Sequence, residues 1–384
     1  MLYFDSNNKK DCNGCSVCAL KCPKNAITMV EDKEGFIYPE IDTTKCINCG
    51  ICKKVCPNRE LDQNSDTIAY MAINKNEFDK KRSSSGGMFY PIAKNIINKN
   101  GVVFGVKYDS DLNVVHDFAS TLDEIKIFQG SKYVKSDLKN SFLEIKKFLN
   151  NDKYILFTGT PCQCHALRTF LMKDYEKLIT CEIICHANPS PKVFDYYKKN
   201  LENKFVSKIK SISFRNKKNG WKSSKTIITF ENGKEVEENS FYNGFVKELF
   251  NRPSCHNCHF CSSNRLSDFT IGDLWGVNKI LPDVVDDNTG ISLFCVNTDK
   301  GKKMLEEIKE ELILTEIDKN LAFSYNHHNN VHPHKNREKF FNEVAKGIIN
   351  ENNVIEYISK YTKVPLYRRL LSKVKFKVKR MLKK

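Results

Sequence analysis

Eight cysteines within the first 57 residues repeat one spacing. Cys12, Cys15, Cys18 and Cys22 precede Pro23, and Cys46, Cys49, Cys52 and Cys56 precede Pro57. Both runs read C-x2-C-x2-C-x3-C-P, the arrangement with which bacterial electron carriers hold a pair of 4Fe–4S clusters. Three close thiolates wrap one corner of an iron–sulfur cube, and the fourth cysteine of each run reaches across to the other cube. The expected ligand sets are therefore Cys12, Cys15, Cys18 and Cys56 for one cluster and Cys22, Cys46, Cys49 and Cys52 for the other. Disulfides fit poorly, because they serve small secreted domains. Zinc usually takes two well-separated C-x2-C pairs.

A third triplet, Cys255, Cys258 and Cys261, has the same opening spacing without the final C-P. A third 4Fe–4S cluster would need one more ligand, and Cys162, Cys164, Cys181 and Cys185 are available. Zinc aided by His256 or His259, or a thiol site without metal, stay open as alternatives.

Cys162 lies in Gly159-Thr160-Pro161-Cys162-Gln163, between an apolar run and a helical pattern. A helix N-terminus favours a phosphate or a thiolate. Cys162 is thus a candidate cluster ligand or redox thiol, and a merely packed cysteine is the alternative. Ser83, Ser84, Ser85, Gly86 and Gly87 combine hydroxyls with close backbone approach ahead of a helix, as a phosphate cradle or a plain cap would. Ser131 and Lys132 add a hydroxyl and a cation. Asp273, in Asp268-Phe269-Thr270-Ile271-Gly272-Asp273-Leu274-Trp275, either lines a pocket or closes a turn over a core tryptophan. His327, His328, His332 and His334 lie in a polar stretch that reads as solvated surface more readily than as a metal site.

The elements that must position these residues follow from periodicity. Strands are expected at Ile68–Ile73, Val102–Tyr108, Val114–Ala119, Tyr154–Phe157, Leu178–Ile184, Ile209–Phe214, Thr226–Phe230, Phe269–Gly272 and Ile291–Val296. Helices are expected at Met88–Ile97, Leu138–Leu149, Cys162–Leu171, Ser190–Leu201, Phe241–Phe250, Lys300–Leu312 and Phe340–Lys360. Residues 60–66 read as a linker. The fold class is α+β, with a two-cluster module over residues 1–62, an α/β domain over 63–345 (parts of about 66–150 and 151–345) and a helical, basic tail over 346–384.

The net charge of +16 is concentrated at the C-terminus, where Lys363–Lys384 holds ten Lys or Arg and no acid. The remainder carries only +6, which argues against a nucleic-acid partner. Leu366, Leu370, Val374, Val378 and Leu382 recur every fourth residue among those cations, so the segment either lies on an anionic membrane face or is solvated. The opening residues have no apolar signal region, and no run approaches the roughly 20 apolar residues of a membrane span. Sixteen cysteines in such a chain predict a reducing cytoplasm, with peripheral contact at the inner membrane face through the tail.

Ser84-Ser85-Gly86-Gly87, Gly130-Ser131-Lys132-Tyr133, Gly159-Thr160-Pro161-Cys162-Gln163, Cys185-His186-Ala187-Asn188-Pro189-Ser190-Pro191 and Ile271-Gly272-Asp273-Leu274-Trp275-Gly276 occur in that order. With them the chain resembles the coenzyme F-420 hydrogenase/dehydrogenase beta-subunit family, fused to a two-cluster ferredoxin, over residues 1–345. The resemblance implies an FAD-binding iron–sulfur oxidoreductase that exchanges electrons with coenzyme F-420 or another organic substrate, in some relatives within polysaccharide synthesis. It implies that Ser83–Gly87, Ser131, Lys132 and Thr160 touch FAD. It further implies that Cys255, Cys258 and Cys261, with Cys162 or Cys185, hold the third cluster. Cys162 and Asp273 are the candidate catalytic residues. The implied partner is an electron-donor or acceptor protein, either ferredoxin-like or a larger redox complex. The alternatives are an electron-transfer subunit with no substrate of its own and a membrane-associated accessory protein of surface-glycan synthesis.

Overall fold

A computed structural model describes residues 2–58, 66–223, 225–326 and 329–363 of the 384-residue chain. The linker expected at residues 60–66 falls almost wholly outside the described residues, as do His327, His328 and residues 364–384 of the basic tail.

The N-terminal module is a duplication in backbone as well as in sequence. Gly14 and Ser16 flank Cys15 with φ of 62° and 64°, and Asn48 and Gly50 flank Cys49 with φ of 54° and 72°. Each left-handed pair leads into a one-turn helix, Val17–Leu20 and Ile51–Lys54. Such turns curl the chain around a centre, which is what three close ligands require. Strands β1 (Ile27–Glu31) and β2 (Ile37–Ile41) pair as an antiparallel hairpin.

The body is built on β3 (Ile68–Asn74), β4 (Val102–Tyr108), β5 (Val114–Ala119), β6 (Ile155–Gly159), β7 (Leu178–Ile183), β8 (Ile209–Asn216), β9 (Lys225–Phe230), β10 (Glu235–Glu237), β11 (Phe269–Asp273), β12 (Ser292–Val296) and β13 (Leu312–Ile317). Eight of them form one mixed sheet in the order β13-β3-β12-β11-β7-β6-β4-β5. Strands β4, β6, β7 and β11 run parallel, and antiparallel partners close both sides. Apolar residues on both faces explain this layering, because parallel strands are covered by helices on each side. Helices Phe89–Asn98 and Asp299–Ile308 cover one face through Ile92, Ile96, Met304 and Leu305. Helices Ser141–Asn150 and Pro161–Leu171 cover the other through Phe142, Ile145, Leu167 and Phe170. Val17 and Val55 of the N-terminal module bury into this second layer. Strands β8–β10 form a separate small sheet beside helix Pro191–Phe205.

Three expected helices are shorter than the sequence suggested. Lys300–Leu312 ends at Ile308, and Leu312–Ile317 instead pairs with β3 as the edge strand. Phe241–Phe250 stops at Val246, before Glu248 turns left-handed with φ of 62°. Phe340–Lys360 is two helices, Arg337–Ala345 and Val354–Thr362, broken where Gly347 has φ of 73°. Val354 and Ile358 are fully buried with Phe340 and Phe250, so the packed body runs on past residue 345 to Thr362. Among the described residues no helix is long and apolar enough to cross a membrane.

Candidate functional site

Parallel strands end their ladders on one side of the sheet, and crevices at those carboxyl ends bind ligands. Here Val106, Gly159, Ile183 and Asp273 close β4, β6, β7 and β11 around a cavity of about 260 Å³. Ser83–Ser85 and Gly87, Gly130–Tyr133, Thr160 and Gln163 complete its wall. Segments up to 209 positions apart in the chain, from Ser83 to Ser292, thus meet in one place. A wider cavity of about 720 Å³ adjoins it and shares Ser83, Ser84, Gln129, Gly130, Ser131 and Lys132. Its charged lining residues are Lys81, Arg82, Lys132, Arg215, Lys217 and Lys218, all cationic.

The serine loop is fixed by its own hydroxyls. Ser83 Oγ donates to Asp79 O at 2.9 Å, and Ser85 Oγ donates to Ile291 O at 2.8 Å. Ser84 Oγ accepts both the N–H and the O–H of Ser131 at 2.8 Å, which leaves its own proton for another acceptor. Lys132 Nζ donates to the carbonyls of Ile127, Phe128 and Gln129 at 3.0–3.2 Å. Burial pulls its ammonium down to about 7. Lys217 donates to Lys80 O, Ser85 O and Thr289 O at 2.6–2.9 Å, and burial pulls it down to about 8.

Asp273 pairs with Arg215 at 3.0 Å. Burial raises the Asp273 carboxyl, and Arg215, a Ser85 hydrogen bond and Lys217 oppose that rise. Trp275 is not in the core. It is 37% exposed and stacks on buried Trp221, with ring centroids 4.8 Å apart.

A buried hydrogen-bond chain holds the turn before Cys162. His116 Nε2 donates to Thr158 O at 2.9 Å, and its Nδ1 accepts from Ser136 Oγ at 2.8 Å. Gln163 Nε2 donates to Ser136 Oγ at 3.0 Å, while Gln163 Oε1 accepts from Thr160 N and Oγ1 at 3.1 and 3.0 Å. Thr160 and Gln163 form a capping box, and Pro161 occupies the first turn. With the Thr160 proton directed to Gln163, the Cys162 thiol is the donor across the 3.2 Å to Thr160 Oγ1. Burial lowers His116 to about 4, so the imidazole is neutral.

No disulfide joins any of the sixteen cysteines. Cys185 lies within electrostatic reach of Cys255, Cys162, Cys258 and Cys261, so five thiols converge below the cavity. Backbone amides serve the sulfurs: Gly14 N donates to Cys12 Sγ at 3.3 Å, Ala26 N to Cys22 Sγ at 3.3 Å and Asn188 N to Cys255 Sγ at 3.2 Å. Amide donors of this kind stabilise negative sulfur, so the donor sets fit iron–sulfur clusters. Among the described residues no three His, Cys, Asp or Glu side chains are gathered as one metal ion would gather them. Burial pushes the bare thiols up, Cys15 to about 12 and Cys255 to about 11. Cys164 and Cys181 are buried in the sheet layers.

Two family patterns match the sequence. The 4Fe-4S dicluster domain matches residues 11–59, and the C-terminal part of the coenzyme F-420 hydrogenase/dehydrogenase beta subunit matches residues 152–320. The chain carries that family's C-terminal domain behind a 4Fe–4S dicluster domain. Its N-terminal module is thus of the iron–sulfur type. Pyruvate synthase subunit PorD of Thermotoga maritima is 33% identical over 60 residues, 16% of this chain and 57% of that one. NADH-quinone oxidoreductase subunit I of Pelobacter propionicus is 28% identical over 83 residues, 20% of this chain and 45% of that one. Trichloroethene reductive dehalogenase of Dehalococcoides mccartyi is 34% identical over 74 residues, 16% of this chain and 13% of that one. The chain thus spans between 13% and 57% of the length of these curated relatives. A chain of the F-420-reducing NiFe hydrogenase complex of Methanosarcina barkeri aligns with 77% of this chain and 90% of its own length, at 16% identity and a TM-score of 0.45.

His116, Ser136, Arg215, Lys217 and Arg252 were not marked by the sequence. Each is an isolated residue with no motif around it, and only the fold brings it to the site. Of the polar stretch's described histidines, His332 is exposed, and His334 Nδ1 accepts from Asn336 N at 3.1 Å. His256 Nδ1 faces Val331 O at 3.3 Å.

Proposed function

We propose that the chain is an iron–sulfur flavoprotein oxidoreductase that carries FAD in the paired cavities. It would exchange electrons with an organic two-electron partner, coenzyme F-420 or another acceptor. The observation that carries this reading is the Gly159–Gln163 turn. One side of the turn lines the inner cavity, and the helix it starts carries Cys162 into the group of five thiols.

The residues present fit a dinucleotide. The inner cavity offers Met88, Phe89, Val106 and Ile271 to a flat ring, and the outer one, whose charged groups are all cationic, suits a pyrophosphate. Bound flavin would supply the conversion between one-electron and two-electron transfer. The Ser84 hydroxyl, whose proton is unspent, would donate to its phosphates, Lys132 would add positive charge beside it, and the neutral His116 chain keeps the Thr160 cap in place. Cys255, Cys258 and Cys261 with Cys185 would hold the third cluster. Cys162, bonded to Thr160 Oγ1, would then stand between cluster and cavity.

The test is the flavin and iron content of anaerobically purified chain. About one FAD and about twelve irons per chain are expected. Cys185→Ser should fall to about eight irons, and Cys162→Ser should keep about twelve. Full iron without flavin would overturn the FAD reading. It would leave a second reading, an electron-transfer subunit without a substrate of its own, which the exposed run around Cys49 favours. In either reading the electron-donor or acceptor protein would dock at that run. The basic segment from Lys363 would add contact with an anionic membrane face.

A further inference from the structure

The two N-terminal cysteine sets sit in opposite environments. Residues 43–50 are exposed except for half-buried Cys46, so the set of Cys22, Cys46, Cys49 and Cys52 faces outward. Cys15 is buried with Val17 and Val55 against helix Pro161–Leu171 of the body.

Between this inner set and the thiols of the body lies one buried cation. Arg252 is 2% exposed. Its Nε donates to Cys12 O at 2.9 Å, and one terminal nitrogen donates to Ile37 O at 2.8 Å and lies 3.8 Å from Cys12 Sγ. The guanidinium centre lies 4.4 Å from the Tyr38 ring and 5.3 Å from the Phe36 ring. The backbone of the same residue belongs to the other thiol group. Arg252 N donates to Asn188 O at 2.8 Å, Cys255 N donates to Arg252 O at 3.0 Å, and Asn188 N donates to Cys255 Sγ at 3.2 Å. Lys135 crosses the same junction from the cavity wall and donates to Gly14 O at 2.9 Å. Gly14 leaves the room for this: a Cβ there would meet the Arg252 guanidinium at 2.9–3.1 Å.

We propose that the cluster of Cys12, Cys15, Cys18 and Cys56 is the one that exchanges electrons with the body, and that Arg252 is a positioning residue that raises its reduction potential above that of the outer cluster. Adding one electron to a cluster adds one negative charge. Charge and hydrogen bonds at the sulfurs set where that electron rests. A guanidinium stays protonated and, with water excluded, acts on Cys12 Sγ far more strongly than in solvent. One electron leaves the outer cluster, which is reoxidised, and enters the inner cluster, which is reduced; no proton moves. A low-potential one-electron donor protein at the outer face supplies it.

The inference rests on the cysteines carrying clusters, and its readout is independent of flavin. Full chain is purified anaerobically as wild type, Arg252→Gln and Arg252→Lys. Each is titrated against dithionite with mediators and followed by electron paramagnetic resonance, with iron counted. Cys49→Ser identifies the outer cluster's signal. Arg252→Gln should keep its iron and lower the inner cluster's midpoint by at least about 59 mV, a tenfold change for one electron. Arg252→Lys should shift it less, and the outer midpoint should stay. Unchanged midpoints with full iron, or a shift confined to the outer cluster, would overturn the proposal. If Arg252→Gln loses iron, Lys135→Gln decides: the inner midpoint must fall, and a wild-type titration overturns the proposal.

Discussion

Arg215 and Asp273 meet at 3.0 Å on the partition between the two cavities, with Arg215 lining the outer one and Asp273 the inner. Their side chains are 6% and 16% exposed. A buried charge pair is costly to break, because the remaining charge loses its partner without regaining water. Asp273→Asn should therefore destabilise the fold by about 3 kcal/mol, measured as a lower urea midpoint with unchanged slope. The chain's two tryptophans stack beside this pair, with the Arg215 guanidinium 5.5 Å from the Trp275 ring. Intrinsic fluorescence should change in the same variant, and an unchanged spectrum would mean that the partition does not depend on the pair.

His116 predicts an acid-side loss of stability. Burial lowers its imidazole from 6.5 to about 4 in the folded chain, so between those values the unfolded chain binds more protons. The contribution is complete above pH 6.5 and fades as the pH falls toward 4, by roughly 3 kcal/mol in all. His116→Gln should be less stable at neutral pH but lose this part of the slope. Parallel slopes for wild type and variant between pH 6.5 and 4 would refute the assignment.

Lys132 predicts a pH-dependent grip on anions. Its ammonium is lowered to about 7, so the charge is present below that value and lost above it. The FAD pyrophosphate does not titrate near neutrality. Affinity of flavin-stripped, cluster-loaded protein for FAD should therefore fall as pH rises from 7, by up to about tenfold per unit. Lys132→Met should bind weakly at every pH with no such slope, as read by quenching of flavin fluorescence.

Gly86 in the serine loop and Gly130 in the cavity wall separate crowding from backbone freedom. A Cβ on Gly86 would lie 2.5 Å from Ala72 O and 2.8 Å from Ser292 N, both backbone atoms that cannot swing aside. Gly86→Ala should cost about 3 kcal/mol and expel the Ser83–Gly87 loop from its place. Gly130 has φ of 83° with open space around it, so Gly130→Ala should cost only about 1 kcal/mol. Denaturant midpoints for the two variants test the order, and equal losses would contradict it.

Much of the strand plan was legible because β4, β6, β7 and β12 are apolar runs bounded by turn residues. Strand β13 was not, because Leu312–Ile317 follows helical residues directly and its opening apolar residues, Leu312–Leu314, read as a continuation of the helix. The break at Gly347 was equally hidden, since a helical period can run through a turn when both flanking helices use the same buried face.

The sequence by itself determined the 4Fe–4S dicluster domain over residues 11–59, because such a domain depends on local spacing that the backbone realises within a few residues. It also marked the loops that line the cavity. Only the tertiary structure decided that these loops converge at the carboxyl ends of the parallel strands, that Cys185 comes within electrostatic influence of Cys162 and the third triplet, and that Arg252 reaches Cys12. Those contacts join residues up to 240 positions apart, and their geometry is set by sheet order and helix packing. A lone arginine, histidine or serine carries no sign of its neighbours until the chain has folded around it.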